Sequence, residues 1–206
     1  MPLIRKPPSP PPTGVDPPAD PFAGIAAADA ADRWAAARAL ADHPAGVLAL
    51  ADALSRETDV RVREAIFAGL SRAATRQSAE AVLPCLRSDD ASLRTGALDA
   101  LRAMPMAALP LLPQLLIDPD PDVRLLTCEV VRALPPADAC ALLVALLDRE
   151  TEVNVCAAAV EVLSEAGDAS ALPALRRCAE RFADAPFLGF AIKVAAQRLQ
   201  ASAPRA

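Results

Sequence analysis

The sequence predicts an all-α protein built as an α-solenoid, a stack of tandem helix pairs, on three observations. A short motif that starts with an acidic residue returns at roughly thirty-residue intervals along most of the chain. Hydrophobic residues reach 53% while aromatics are only 3%, so the apolar mass is Ala and Leu, which suit close helix packing. No alternating run of β-branched and aromatic residues argues for a strand.

The elements follow in order. Residues 1–24 contain nine prolines, too many for a helix, and predict an extended, polyproline-like flexible tail. Within it Arg5-Lys6-Pro7-Pro8-Ser9-Pro10-Pro11 has the form of an R-x-x-P-x-x-P ligand, although a spacer or tether explains the composition equally simply. The solenoid is expected over 25–200, followed by a disordered end at 201–206. Its first helices read as Asp29 before AADRWAAARAL, Asp59 before VRVREAIFAGL, Asp90 before ASLRTGALDAL, Asp120 before PDVRLLTCEVV, and Glu152 before VNVCAAAVEVL. A degenerate sixth copy places Asp184 before APFLGFAIKVA, and the successive starts are 30, 31, 30, 32 and 32 residues apart. After a short break each of the first five copies continues with a second apolar stretch: PAGVLALADAL, SAEAVLPCLRS, MAALPLLPQLL, ADACALLVALL and SALPALRRCAERF.

Within the first helices, apolar residues fall three and four apart, as in Val62, Ala65, Ile66, Gly69 and Leu70, the stripe of a half-buried helix. One pair cannot hide that stripe, whereas stacking pair on pair builds a continuous core. The expected architecture is therefore five helix pairs plus a degenerate C-terminal repeat helix. Asp29, Asp59, Asp90 and Asp120 stand where an N-cap is needed to accept from orphan amides and to complement the helix dipole. Arg33, Arg63, Arg94 and Arg124 recur four residues later. Neighbouring layers thus set a column of arginines beside a column of aspartates, a structural ladder in preference to an anion-binding strip.

The pattern D-x-x-V-R-x-x-A-x-x-A-L, followed by L-P-x-L, resembles the HEAT repeats of the phycobilisome-lyase-like subtype. Its best matches are Asp59–Leu70, Asp90–Leu101 and Asp120–Val131, with Leu83-Pro84-Cys85-Leu86 and Leu172-Pro173-Ala174-Leu175 in second helices. The resemblance covers residues 27–200 and departs from the arginine at Cys156 and at Leu188. It implies a fold more than a function, because that family includes lyase subunits, scaffolds and regulatory adaptors.

Charge and motif content narrow the function classes. The formal charge is −5, with acids and arginines interspersed, which disfavours nucleic acid as a partner. Lys6 and Lys193 are the only lysines, a bias that resembles bacterial coding. Five cysteines with no C-x-x-C pair read as reduced thiols of a cytoplasmic protein. No secretory signal and no membrane-length apolar run is visible, so no membrane partner is expected. His43 is the single histidine, which leaves neither a metal-ligand set nor the paired His-Glu motifs of HEAT-type di-iron hydroxylases. There is no phosphate-cradling glycine loop and no G-x-S-x-G elbow. A DNA-lesion-binding HEAT-like protein is disfavoured by the acidic balance and the single aromatic indole, Trp34.

The expected function is a non-catalytic adaptor or scaffold that presents a curved helical surface to another protein, with no cofactor. The resemblance keeps open an accessory subunit in tetrapyrrole-type cofactor attachment, with a lyase-type activity. Candidate contact residues are those that break the repeat's rule. The position after the recurring arginine is polar at Glu64 and Thr95 but apolar at Trp34 and Leu125. Trp34 equally fits a cap on the open end of the stack, covered by Phe22 and Ile25. On second helices the candidates are Arg76, Glu80, Arg87, Gln114, Asp148, Arg177 and Arg181, each also readable as solvated surface.

Overall fold

The computed structural model describes residues 20–202, and no strand occurs among the described residues. The proline-rich motif at residues 5–11 and the C-terminal residues 203–206 lie outside the described residues. The chain divides into two compact units, Met1–Gly69 and Leu70–Ala206. The architecture is an α-solenoid of helix pairs.

In the first unit, α1 (Pro21–Gly24) packs on α2 (Ala30–Leu40), which pairs with α3 (Gly46–Leu54). Most of α4 (Val60–Ala73) also belongs to it. Residues 21–24, which the sequence reading places in the proline-rich segment, are helical. Asp20 accepts from the Phe22 amide at 2.9 Å and Pro21 sits at the first helical position, where its missing N–H costs nothing. Ile25 then anchors the turn in the core with Ala36, Leu40, Leu50, Val62 and Ile66. Each such leucine or isoleucine contributes about 1.5–3 kcal/mol on burial. Glycine is required at Gly46, where a Cβ would collide with the Leu40 carbonyl oxygen as the chain doubles back between α2 and α3.

In the second unit the first helices are α6 (Ala91–Ala103), α9 (Pro121–Val131), α11 (Val153–Ala166) and α13 (Pro186–Ser202). They pack in succession, α6 on α9, α9 on α11 and α11 on α13. Among the second helices, α5 (Arg76–Val82) meets α7 (Pro105–Ala108) and α10 (Pro136–Leu147) meets α12 (Leu172–Arg181). Two of them are broken by their own prolines. After α5 the chain tightens into a 3-10 turn at Leu83–Arg87, and α7 reaches α8 (Leu112–Leu115) through another at Leu109–Leu111. Pro84, Pro110 and Pro113 lack the N–H that an uninterrupted α-helix needs.

The acids behave as expected caps. Asp29 accepts from Ala31 N, Asp59 from Arg61 N and Val62 N, Asp90 from Ser92 N and Leu93 N, and Asp120 from Asp122 N, all at 2.7–3.3 Å. Glu152 makes no side-chain cap bond. The last copy is shifted by one residue from the sequence alignment. Its first helical bond runs from Gly189 N to Ala185 O, matching Arg124 N to Asp120 O and Cys156 N to Glu152 O. Gly189, not Leu188, therefore holds the arginine position, and Leu188 takes the fully buried place of Val123. Lys193, four residues beyond Gly189, is exposed where the preceding first helices α9 and α11 bury Cys128 and Val160.

Candidate functional site

The recurring arginines hold the layers together, but through partners other than the neighbouring N-cap aspartates. Arg33 forks onto Glu57, Nε to Oε2 at 2.7 Å and Nη2 to Oε1 at 3.0 Å, and gives Nη1 to the carbonyls of Ala27 and Ala28. Arg124, three repeats further along the chain, has the same arrangement. It forks onto Glu150 at 2.8 Å twice and donates to the carbonyls of Asp118 and Pro119. Glu57 and Glu150 each stand two residues before the next N-cap, and each Oε1 also accepts two backbone amides, Thr58 and Asp59 or Thr151 and Glu152, at 2.8–2.9 Å. Arg63 and Arg94 bond carbonyls at the same offset in their own repeats, Glu57 O and Ser88 O.

Electrostatics follow from this geometry. The Arg33 fork, reinforced by the two amides against the cost of burial, holds the Glu57 carboxyl down at about 2. Burial pushes the Glu150 carboxyl up, but the Arg124 fork and its two amides outweigh it and leave it below its ordinary value. Asp118 holds the same offset in its repeat and is also buried. Its carboxylate takes Arg87 and the Asp120 amide, the latter at 3.1 Å.

Several second-helix candidates turn out to be fasteners. Arg87 is bound to Asp118, Arg177 grips Asp148 at 2.7 and 3.0 Å, and Arg181 donates to the Leu147 carbonyl. Arg76 and Glu80 pair one turn apart on α5 at 2.7 Å, while Gln114 is exposed. Trp34 and Leu125 are half-buried rather than outward. Trp34 carries the Arg38 guanidinium 4.6 Å above its ring, whereas Phe22 meets His43 edge-on at 4.8 Å. His43 accepts the Ala45 amide on Nδ1, which makes it a turn residue.

Sequence reasoning missed two of the exposed large apolar side chains. Phe187 and Phe190 are 55% and 70% exposed, one turn apart on α13. With the register corrected, Phe190 occupies the position after the arginine column, in line with Trp34 and Leu125. The signal was present but hidden by the one-residue misalignment. A cavity of about 220 Å³ lies beside the Arg33–Glu57 fork, between Ile25, Ala53 and Arg56. The fork residues on its wall are committed to each other and to the backbone, which leaves it no reactive group. Among the described residues, no three His, Cys, Asp or Glu side chains gather to hold a metal, and no helix is long and apolar enough to cross a membrane.

Paired helices repeated at a fixed period, capped by aspartate and pinned by arginine, define a helical-repeat protein. Residues 108–186 match the family described as HEAT repeats. No curated protein matches it. Similar solved structures include an engineered protein (16% identity, 88% of this chain and 98% of that one, TM-score 0.43). A designed armadillo repeat protein is 16% identical over 87% of this chain and 98% of its own, with a TM-score of 0.42. The complex of CpcE and CpcF of phycocyanin lyase from Nostoc sp. PCC7120 is 19% identical over 91% and 97%, with a TM-score of 0.40. At these scores the three likenesses carry no argument about what this chain does.

Proposed function

We propose that this chain is a non-catalytic adaptor of the cytoplasm that binds another protein through the outer surface of its helices. The observation that carries the reading is the aromatic pair Phe187 and Phe190, left in solvent on α13 while the core beneath, Leu188 and Ile192, is closed. Exposed aromatics forfeit the stabilisation that burial would bring, and such residues are concentrated at binding hot spots. A helix held on α11 and α12 presents them with little ordering cost on association. The second-helix charges serve this reading less well, since Arg87, Asp148, Arg177 and Arg181 are already engaged between repeats.

The test compares affinity capture from native lysate by the wild-type chain and by a Phe187→Ser/Phe190→Ser variant whose melting is unchanged. The reading expects a stoichiometric protein that the wild type retains and the variant loses. Equal retention by both would remove α13 from the contact. A bound chromophore or a lyase companion in the captured material would instead favour the accessory-subunit role suggested by the repeat motif.

A further inference from the structure

The cavity beside the Arg33–Glu57 fork has a counterpart at the Arg124–Glu150 fork, and the backbone fixes the correspondence. The amides of Arg56 and Glu57 both donate to the Ala53 carbonyl, as those of Arg149 and Glu150 donate to Leu146, at 3.0–3.1 Å. Ala53 therefore matches Leu146, and Arg56 matches Arg149. Arg33 bonds the carbonyls of Ala27 and Ala28 as Arg124 bonds those of Asp118 and Pro119, so Ile25 matches Leu116 and Ala26 matches Ile117. At the later fork Leu146 is wholly buried, and Arg149 reaches across to donate to the Leu116 carbonyl at 3.4 Å. At the earlier fork Ala53 offers a methyl where Leu146 has an isobutyl group, and Ala26 is likewise smaller than Ile117. Arg56 does not reach across; it turns back to Asp52, at 2.7 and 2.9 Å. The cavity of about 220 Å³ stands where these groups are missing, with Ile25, Ala53 and Glu57 buried and Ala26, Arg56 and Thr58 exposed at its mouth.

We infer that this cavity is a peptide-binding pocket that takes one leucine-type side chain of a partner protein, while a peptide N–H beside that residue donates to the Ile25 carbonyl. The later fork shows both halves of the requirement, an aliphatic group in the place of Leu146 and a donor in the place of Arg149. Size agrees: the volume is below the roughly 300–1,000 Å³ of sites for whole small molecules and suits a single side chain. Charge agrees as well. Arg33 is forked on Glu57 and Arg56 on Asp52, so the surroundings are balanced and complement an uncharged amide with an aliphatic chain better than an anion or a cation. The Arg56–Asp52 pair is exposed on both sides and costs little to displace as a peptide settles over the mouth. An aliphatic anchor in such a pocket, ringed by polar groups that exclude water, has the form of a binding hot spot. The site is separate from the aromatic pair on α13 and does not depend on it.

The experiment selects a random heptapeptide phage library on the full-length chain and measures the enriched peptide, fluorescently labelled, by anisotropy. The expected consensus contains one leucine, isoleucine or methionine, and its replacement by alanine in the labelled peptide should weaken binding at least about tenfold. Ala53→Leu, which copies Leu146, should fill the pocket, keep or raise the melting temperature, and weaken the wild-type peptide by a similar factor. Should that variant fail to fold, Ala26→Ile at the exposed mouth takes its place in the same measurement. No enrichment, a consensus without an aliphatic residue, or undiminished binding to the filled variant would overturn the inference. Loss of the peptide in Phe187→Ser/Phe190→Ser with full retention by Ala53→Leu would place recognition on α13, which overturns this pocket and leaves the adaptor reading standing.

Discussion

Replacing Glu150 by alanine should be among the most costly single substitutions outside the apolar core. The carboxylate is 3% exposed and Arg124 12%, so water cannot readily take over the fork. Removing it strands a guanidinium that keeps only the carbonyls of Asp118 and Pro119. It also frees the amides of Thr151 and Glu152, which lie at an exposed turn and can be rehydrated. Breaking one side of a buried ion pair costs roughly 3–5 kcal/mol, and the retained carbonyls place this site near the lower end, about 3 kcal/mol. For a chain of this size that lowers the melting temperature by roughly 6–12 °C. Glu150→Gln keeps an acceptor for the amides and should cost about half as much. A double-mutant cycle with Arg124→Met, read from urea midpoints, should return a coupling of at least about 1 kcal/mol. Single-variant losses within about 0.5 kcal/mol of zero, the range of unremarkable surface changes, would refute the assignment of this pair as an interlayer clamp.

Other perturbations test other links. Glu57 is held at about 2 against an ordinary 4.5, so its folded pKa is depressed. Its stabilisation, on the order of 3 kcal/mol, is present above about pH 5 and disappears as pH falls toward 2. Acid titration of stability should show that loss in the wild type, and Glu57→Gln, weaker at neutral pH, should show a shallower slope over the same window; parallel slopes would contradict it. Ala74 closes α4 in the left-handed region at φ 47°, where a Cβ is unfavourable. Ala74→Gly should raise the urea midpoint by the equivalent of about 0.5–1 kcal/mol, and a lowered midpoint would show that the turn is not strained.

The period, the caps and the number of helix pairs were legible because each rests on local chemistry. An aspartate caps wherever a first helix begins, as Asp59 and Asp90 do, and the Ala and Leu stripe repeats with it. The true arginine partners were harder to see. The buried acids Glu57, Asp118 and Glu150 share one offset, two residues before the next first helix, and that recurrence was available. It was masked by the aspartates beside it, which match the motif better yet spend their oxygens on their own helices. The register of α13 was misread because Asp184 looked like a cap, whereas Pro186 fixes the first turn and makes Ala185 the cap position. The half-burial of Trp34 and Leu125, and the engagement of Arg87 and Arg177 between repeats, are tertiary facts that no local spacing encodes.

The claim underlying the whole description is that a buried carboxylate ahead of a first helix locks one repeat to the next and leaves the outer helix surfaces free for a partner. Native-state hydrogen exchange at Thr151 and Glu152 tests it most directly, because both residues are exposed and yet donate to Glu150. The expected result is exchange at least roughly a hundredfold slower in the wild type than in Glu150→Ala. Exchange of these two amides at the same rapid rate in both proteins would mean that no such lock exists.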